Sequence, residues 1–118
     1  ENLLGIYRIK VFRNNGVNYF DLDIKGTIEL NRKGIVIETN LPTLTRFTGT
    51  YDFELNTNIE FIKKGMIAGR IDFKDNSIFS LNIDKEKKIG TLTSLKAEVN
   101  EEGVTLSQRE TTTFIIED

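Results

Sequence analysis

Apolar and polar side chains alternate along most of this chain. Between Arg46 and Leu55, Phe47, Gly49, Tyr51, Phe53 and Leu55 share one parity, and Arg46, Thr48, Thr50, Asp52 and Glu54 share the other. Successive side chains of an extended chain point to opposite faces, so this period of two predicts a half-buried strand. Asn56-Thr57-Asn58 supplies turn chemistry, and Ile59-Glu60-Phe61 resumes the alternation as a return strand.

The same pattern recurs on either side. Leu3 to Arg13 alternates up to Asn14-Asn15-Gly16, a tight-turn signal because Asn and Gly accept positive φ at little cost. Val17 to Leu30 reads as one long strand with Phe20, Leu22, Ile24, Gly26, Ile28 and Leu30 inward, bent at Gly26. After the loop Asn31–Gly34, Ile35, Ile37 and Thr39 continue the inward parity. Leu41-Pro42-Thr43-Leu44-Thr45 breaks the ladder, since Pro42 has no N–H, and is expected to form an irregular flap over one end of the fold. Strands at Ile67–Lys74, Phe79–Ile83, Ile89–Val99 and Val104–Ile116 follow, joined by turns at 75–77, 85–88 and 100–103.

No helical run is expected anywhere. The pattern predicts an all-β, antiparallel up-and-down meander of about eight or nine strands. A meander this long must curl or leave two exposed edges, and closure into a β-barrel removes both, so a closed or nearly closed barrel is preferred. The 118 residues fit one domain, 1–118.

The last strand departs from the pattern. Val104, Leu106, Phe114 and Ile116 set an inward parity that also points Gln108, Glu110 and Thr112 inside. An unpaired buried charge is costly. Three explanations stand open: a β-bulge near residue 108 that turns these side chains out and Arg109 in, an edge strand wet on both faces, or a wet interior whose polar groups hold a ligand.

Composition narrows the chemistry. Hydrophobic residues at 38% and charged residues at 29% describe a soluble globular chain. No apolar run approaches the roughly 20 residues of a membrane span. A net charge of −2 and a pI near 5.3 give no electrostatic case for nucleic acid. The chain has no Cys, which excludes disulfides and thiolate-bound zinc, and no His, the commonest general base and metal ligand. Asp21 and Asp23 lack the Asp/Asn-rich, Gly-containing loop of a calcium site. No phosphate loop or nucleophile elbow is present, so no catalytic residue, metal ligand or cofactor is assigned and no enzyme is expected.

The aromatics Tyr7, Phe20, Phe47, Tyr51, Phe53, Phe61, Phe73 and Phe79 are expected inside. They form either a packed core or an apolar ligand pocket, with Tyr7 and Tyr51 as polar handles. The candidate ligand-binding set is Tyr7, Tyr51, Phe53, Phe61 and Phe79, with Gln108 as a polar contact.

Leu4-Gly5-Ile6-Tyr7-Arg8 resembles the Gly-x-Trp start of lipocalin-like barrels, and Gly49-Thr50-Tyr51-Asp52-Phe53 with Asn58-Ile59-Glu60-Phe61 resembles the mid-barrel hairpin of small bacterial lipocalin-like domains. The resemblance implies a meander barrel with an apolar interior, exported or attached to a bacterial cell envelope as a lipoprotein. It places Tyr7 where the family carries Trp. It makes Arg109 the candidate for the late Arg packing over that position, which requires a bulge to turn Arg109 inward. The start at Glu1, without an initiator Met, is consistent with a removed leader or tag. Two functions are weighed: a non-catalytic domain holding a small apolar or amphipathic ligand inside the barrel, or a cell-envelope interaction module with a filled core that pairs with a protein through an edge strand or its outer face.

Overall fold

A computed structural model describes residues 3–71 and 76–117. Nine strands and one short helix are laid out in chain order: β1 Gly5–Asn14, β2 Val17–Asn18, β3 Lys25–Leu30, β4 Gly34–Thr39, β5 Arg46–Thr50, α1 Asn56–Lys63, β6 Met66–Ile71, β7 Ile78–Asp84, β8 Ile89–Val99 and β9 Thr105–Glu117. Every pairing is antiparallel. The order is β2-β1-β3-β4-β5-β6-β7-β8-β9, and β9 returns to β1, closing an eight-stranded meander barrel with β2 as the extra strand.

The period of two sorts inside from outside in most strands. Ile9 and Val11 of β1, Ile28 and Leu30 of β3, Ile35 and Ile37 of β4, Phe47 of β5, Ile67 and Ile71 of β6, Phe79, Leu81 and Ile83 of β7, Leu92 of β8 and Phe114 of β9 fill the interior. Each such side chain withdrawn from water stabilises the fold by about 1.5–3 kcal/mol. In β8 the even positions Gly90, Leu92 and Ser94 are the buried ones, so Ile89, Leu95 and Val99 belong to the outer face.

The closing seam pairs Arg8↔Glu117 through Asn14↔Thr112, and its register shifts once, between Val11 and Arg13. The irregularity therefore lies in β1 at Phe12. The pairing of β9 with β8 runs unbroken from Ile115 to Thr105, with no bulge near 108. Arg109 accordingly faces out, which removes it as the inward Arg that the resemblance required. Thr112 faces in and is buried, while Thr105 to Arg109 overhang the barrel as the far arm of a β8–β9 ribbon. The explanation borne out for that end is the strand wet on both faces.

Two stretches depart from the sequence reading. The expected strand from Val17 to Leu30 is broken after Asn18, whose Oδ1 accepts from the Phe20 N–H at 2.8 Å. Asn40 then receives the chain, taking the Lys25 N–H on Oδ1 and donating Nδ2 to the Asp23 carbonyl. Phe20 is 55% exposed and packs edge-on against Phe12, outside the barrel.

The second departure is α1, where a return strand was expected. Asp52 reverses the chain first, its Oδ1 taking the Glu54 N–H and its carbonyl taking the Leu55 N–H and the Asn58 amide. The helix buries Ile62 in the barrel core and leaves Ile59 half-buried and Phe61 38% exposed. It stops at Gly65, whose φ of +83° suits a glycine just beyond a helix end. The flap expected at 41–45 is a short 3-10 turn, Pro42–Leu44, with Leu41 and Leu44 buried over one end of the barrel.

Candidate interaction surface

The residues expected to line an internal site are not brought together around a space. Tyr51 is buried, its hydroxyl donates to the Asn31 main-chain carbonyl, and burial pushes its pKa up to about 12. Tyr7 is half-buried and donates to the Leu3 carbonyl at 2.5 Å. Both handles are thus taken by nearby backbone. Phe79 stacks edge-on with Phe47 at 5.6 Å between centroids, inside the core. Phe53 sits at the barrel mouth with the Arg32 guanidinium 4.4 Å over its ring. Phe61, on the exposed side of α1, and Gln108, on the overhanging ribbon, are out of the interior altogether. Both placements correct the expectation of an inward contact, the first through the helix and the second through the overhang of β9. Phe73 lies outside the described residues.

The buried polar side chains have hydrogen-bond partners close by. Asn14 Nδ2 donates to Thr112 Oγ1 at 2.8 Å, and Thr43 Oγ1 donates to Asn14 Oδ1 at 3.1 Å. Ser77 Oγ accepts the Ala97 N–H at 3.2 Å. Among the described residues no buried side-chain polar atom lacks a partner, so none is left waiting for a ligand. The described residues also hold no acidic cluster able to bind a metal ion, and no helix among them is long and apolar enough to cross a membrane.

The outer surface is divided. Outward positions of β1, β3, β4 and β5 carry Arg8, Lys10, Lys25, Glu29, Glu38 and Arg46, with Arg46 and Glu38 paired at 2.8 Å. This is an ordinary solvated sheet face. Outward positions of β6 to β9 are charged, among the described residues, only at Arg70, Asp84, Arg109 and Glu117. Between these lie apolar and small hydroxyl residues. One row of cross-strand neighbours runs Arg70–Ile78–Leu95–Arg109, and the next runs Ala68–Ser80–Thr93–Thr111. Small residues between larger ones leave a shallow apolar groove of about 380 Å³, floored by Ala68, Gly69, Ser80 and Thr93 and edged by Ile78, Leu95 and Arg109.

Other grooves are less suited to binding an apolar surface. One of about 420 Å³ at the α1–β7 end is walled by Lys63, Lys64, Asp84, Lys85 and Glu86, and one of about 400 Å³ lies between α1 and the short β5–β6 ladder. The sequence carried a signal for the outer face that the inward reading of aromatics passed over: Ile78, Leu95 and Val99 fall on the parity opposite Phe79 and Leu92.

No protein-family model matches the chain, and neither a curated protein nor a solved structure is significantly similar to it. The class rests on the fold alone: a closed, eight-stranded antiparallel meander barrel around a buried apolar core, with one sparsely charged outer face over β6–β9.

Proposed function

We propose that this domain is a non-catalytic interaction module that docks on a protein partner through the outer face of β6–β9. The observation that carries this reading is the contrast between the two halves of the outer surface. Contiguous exposed apolar surface in a soluble domain marks an interaction site more often than chance, and here it is bounded by charges at its margins. The buried apolar cluster supports the same reading. Its polar atoms are satisfied by neighbours, and the residues that would have formed an internal pocket are spread over the core, the mouth, α1 and the ribbon. The strand order also suits a lipocalin-like barrel, and with that likeness goes a place at a bacterial cell envelope, where such a module would hold a partner without chemistry.

Photo-crosslinking tests this directly. A photoreactive residue at Thr93, on the sparsely charged face, is compared with one at Thr27, on the densely charged face, in the producing cell. Crosslinks to a discrete protein from position 93 and not from 27 are expected. Equal labelling from both, or a small apolar molecule retained in a native mass spectrum and lost on Phe79→Ala, would overturn the reading.

A further inference from the structure

The overhanging end of β9 has a second kind of incompleteness, in its main chain. Pairing with β1 ends at Thr112, and the next residue, Thr111, has both backbone groups taken by Asn15: its N–H by Oδ1 at 2.9 Å and its carbonyl by the Asn15 N–H at 2.8 Å. Backbone groups of a strand point to alternate sides. Those of Thr111 point toward β1, so those of Arg109, Ser107 and Thr105 point the same way. Beyond Asn15 no strand lies on that side among the described residues. The Ile116 N–H, of opposite parity, is directed instead to the Lys88 carbonyl on the β8 side, as this alternation requires.

Proteins ordinarily protect such an edge with proline, lysine, a bulge or a covering loop. From Thr105 to Glu110 the edge has neither proline nor lysine, and its pairing with β8 shows no register shift. Its outward face carries one charge, Arg109. Arg32 and Arg46 have carboxylate partners at 2.6 and 2.8 Å, whereas Arg109 has none among the described residues. On the opposite face Glu110 supplies a negative charge.

We propose that Thr105–Arg109 of β9 takes an extended segment of a partner protein as an added strand, with a carboxylate of that segment seated on Arg109. Strand addition satisfies the three free pairs of backbone groups at once, and directly opposed unlike charges stabilise the cross-strand pair. Because Arg109 and Glu110 lie on opposite faces, the segment carries its acids on alternate residues, all on one side. This rests on the docking face proposed above, of which Arg109 forms the rim.

The test is an amide-shift titration of the whole domain with a short capped peptide alternating Glu and Thr, its Glu-to-Lys counterpart, and a version with a central proline. Saturable shifts confined to 105–111 with the acidic peptide are expected, weakened about tenfold or more for the basic and proline peptides, since like charges repel and a lost donor breaks the ladder. Arg109→Glu should invert the charge preference. Ser107→Pro should abolish binding while leaving the shifts of the barrel in place, because the lost N–H does not face β8. No saturable shift, an unchanged preference in Arg109→Glu, or β9 shifts that appear on concentration alone, which would identify a second copy as the occupant, each overturn the proposal. If the peptides fail while Thr93 still crosslinks to a protein, the added strand falls and the docking face stands.

Discussion

Asn14 and Thr112 are ninety-eight residues apart in sequence and joined by a 2.8 Å hydrogen bond inside the barrel. They are opposite one another on the closing seam, and the other end of the Asn14 amide is held by Thr43 from the 3-10 turn. One side chain thus ties the first strand, the last strand and the flap. Thr112→Val keeps the shape and removes the acceptor, leaving a buried N–H unsatisfied, and should destabilise by about 1–3 kcal/mol in a denaturant melt. Thr112→Ser, which restores the oxygen, should recover most of that loss.

Gly49 makes room for Phe79. A Cβ at Gly49 would overlap that ring. Gly49→Ala is expected to cost about 1–3 kcal/mol through overpacking. In a Phe79→Leu background the same change should cost clearly less, so the two substitutions will be non-additive in a double-mutant cycle. Additive costs would mean the ring and the glycine do not compete for one space.

The parity of β8 gives a paired prediction. Leu92 is buried and Leu95 faces the groove. Leu92→Ala should cost about 2–5 kcal/mol as a core truncation, while Leu95→Lys should stay within about 0.5 kcal/mol of the parent, as surface changes do. The reverse order in thermal or denaturant unfolding would put β8 the other way round.

Tyr51 should make the fold sensitive to alkali. Its pKa is pushed from 10.0 up to about 12 by burial, so between those values the unfolded chain releases this proton and the folded chain keeps it. The stability difference is fully present below pH 10 and declines above it by about 1.4 kcal/mol per pH unit until the folded group ionises. Comparing the parent with Tyr51→Phe isolates this slope. Phenolate absorbance should also show a late-titrating component that Tyr51→Phe removes.

Much of this architecture is legible in the residues. Asn15 and Gly16 carry the positive φ values that Asn-Asn-Gly implied, and Pro42 marks the break in the ladder. Ile28 and Leu30 of β3 alternate with Thr27 and Glu29, and Ile37 of β4 is followed by Glu38, so inside and outside follow from parity. The helix was hidden because Tyr51, Phe53, Ile59 and Phe61 satisfy a period of two as well as Ile59 and Ile62 satisfy i,i+3. The deciding cue was Lys63-Lys64-Gly65, basic residues and then a glycine, which ends a helix as readily as it turns a hairpin. β8 carries apolar residues on both parities, and the buried one is marked by Leu92 together with Gly90, against which the Phe114 ring lies. The candidate ligand set is dispersed for a related reason: aromatic content shows what can be buried, while which side chains meet depends on elements such as the helix that carries Phe61 and the overhang that carries Gln108.

The seam between β1 and β9 joins the first residues of the barrel to the last. Neighbouring hairpins can form as the chain emerges, but Ile9 and Val11 gain their second flanking strand only when Phe114 and Ile116 arrive. The second flanking strand of β1 is thus the last to be made, and a chain truncated before Thr112 could not close the seam.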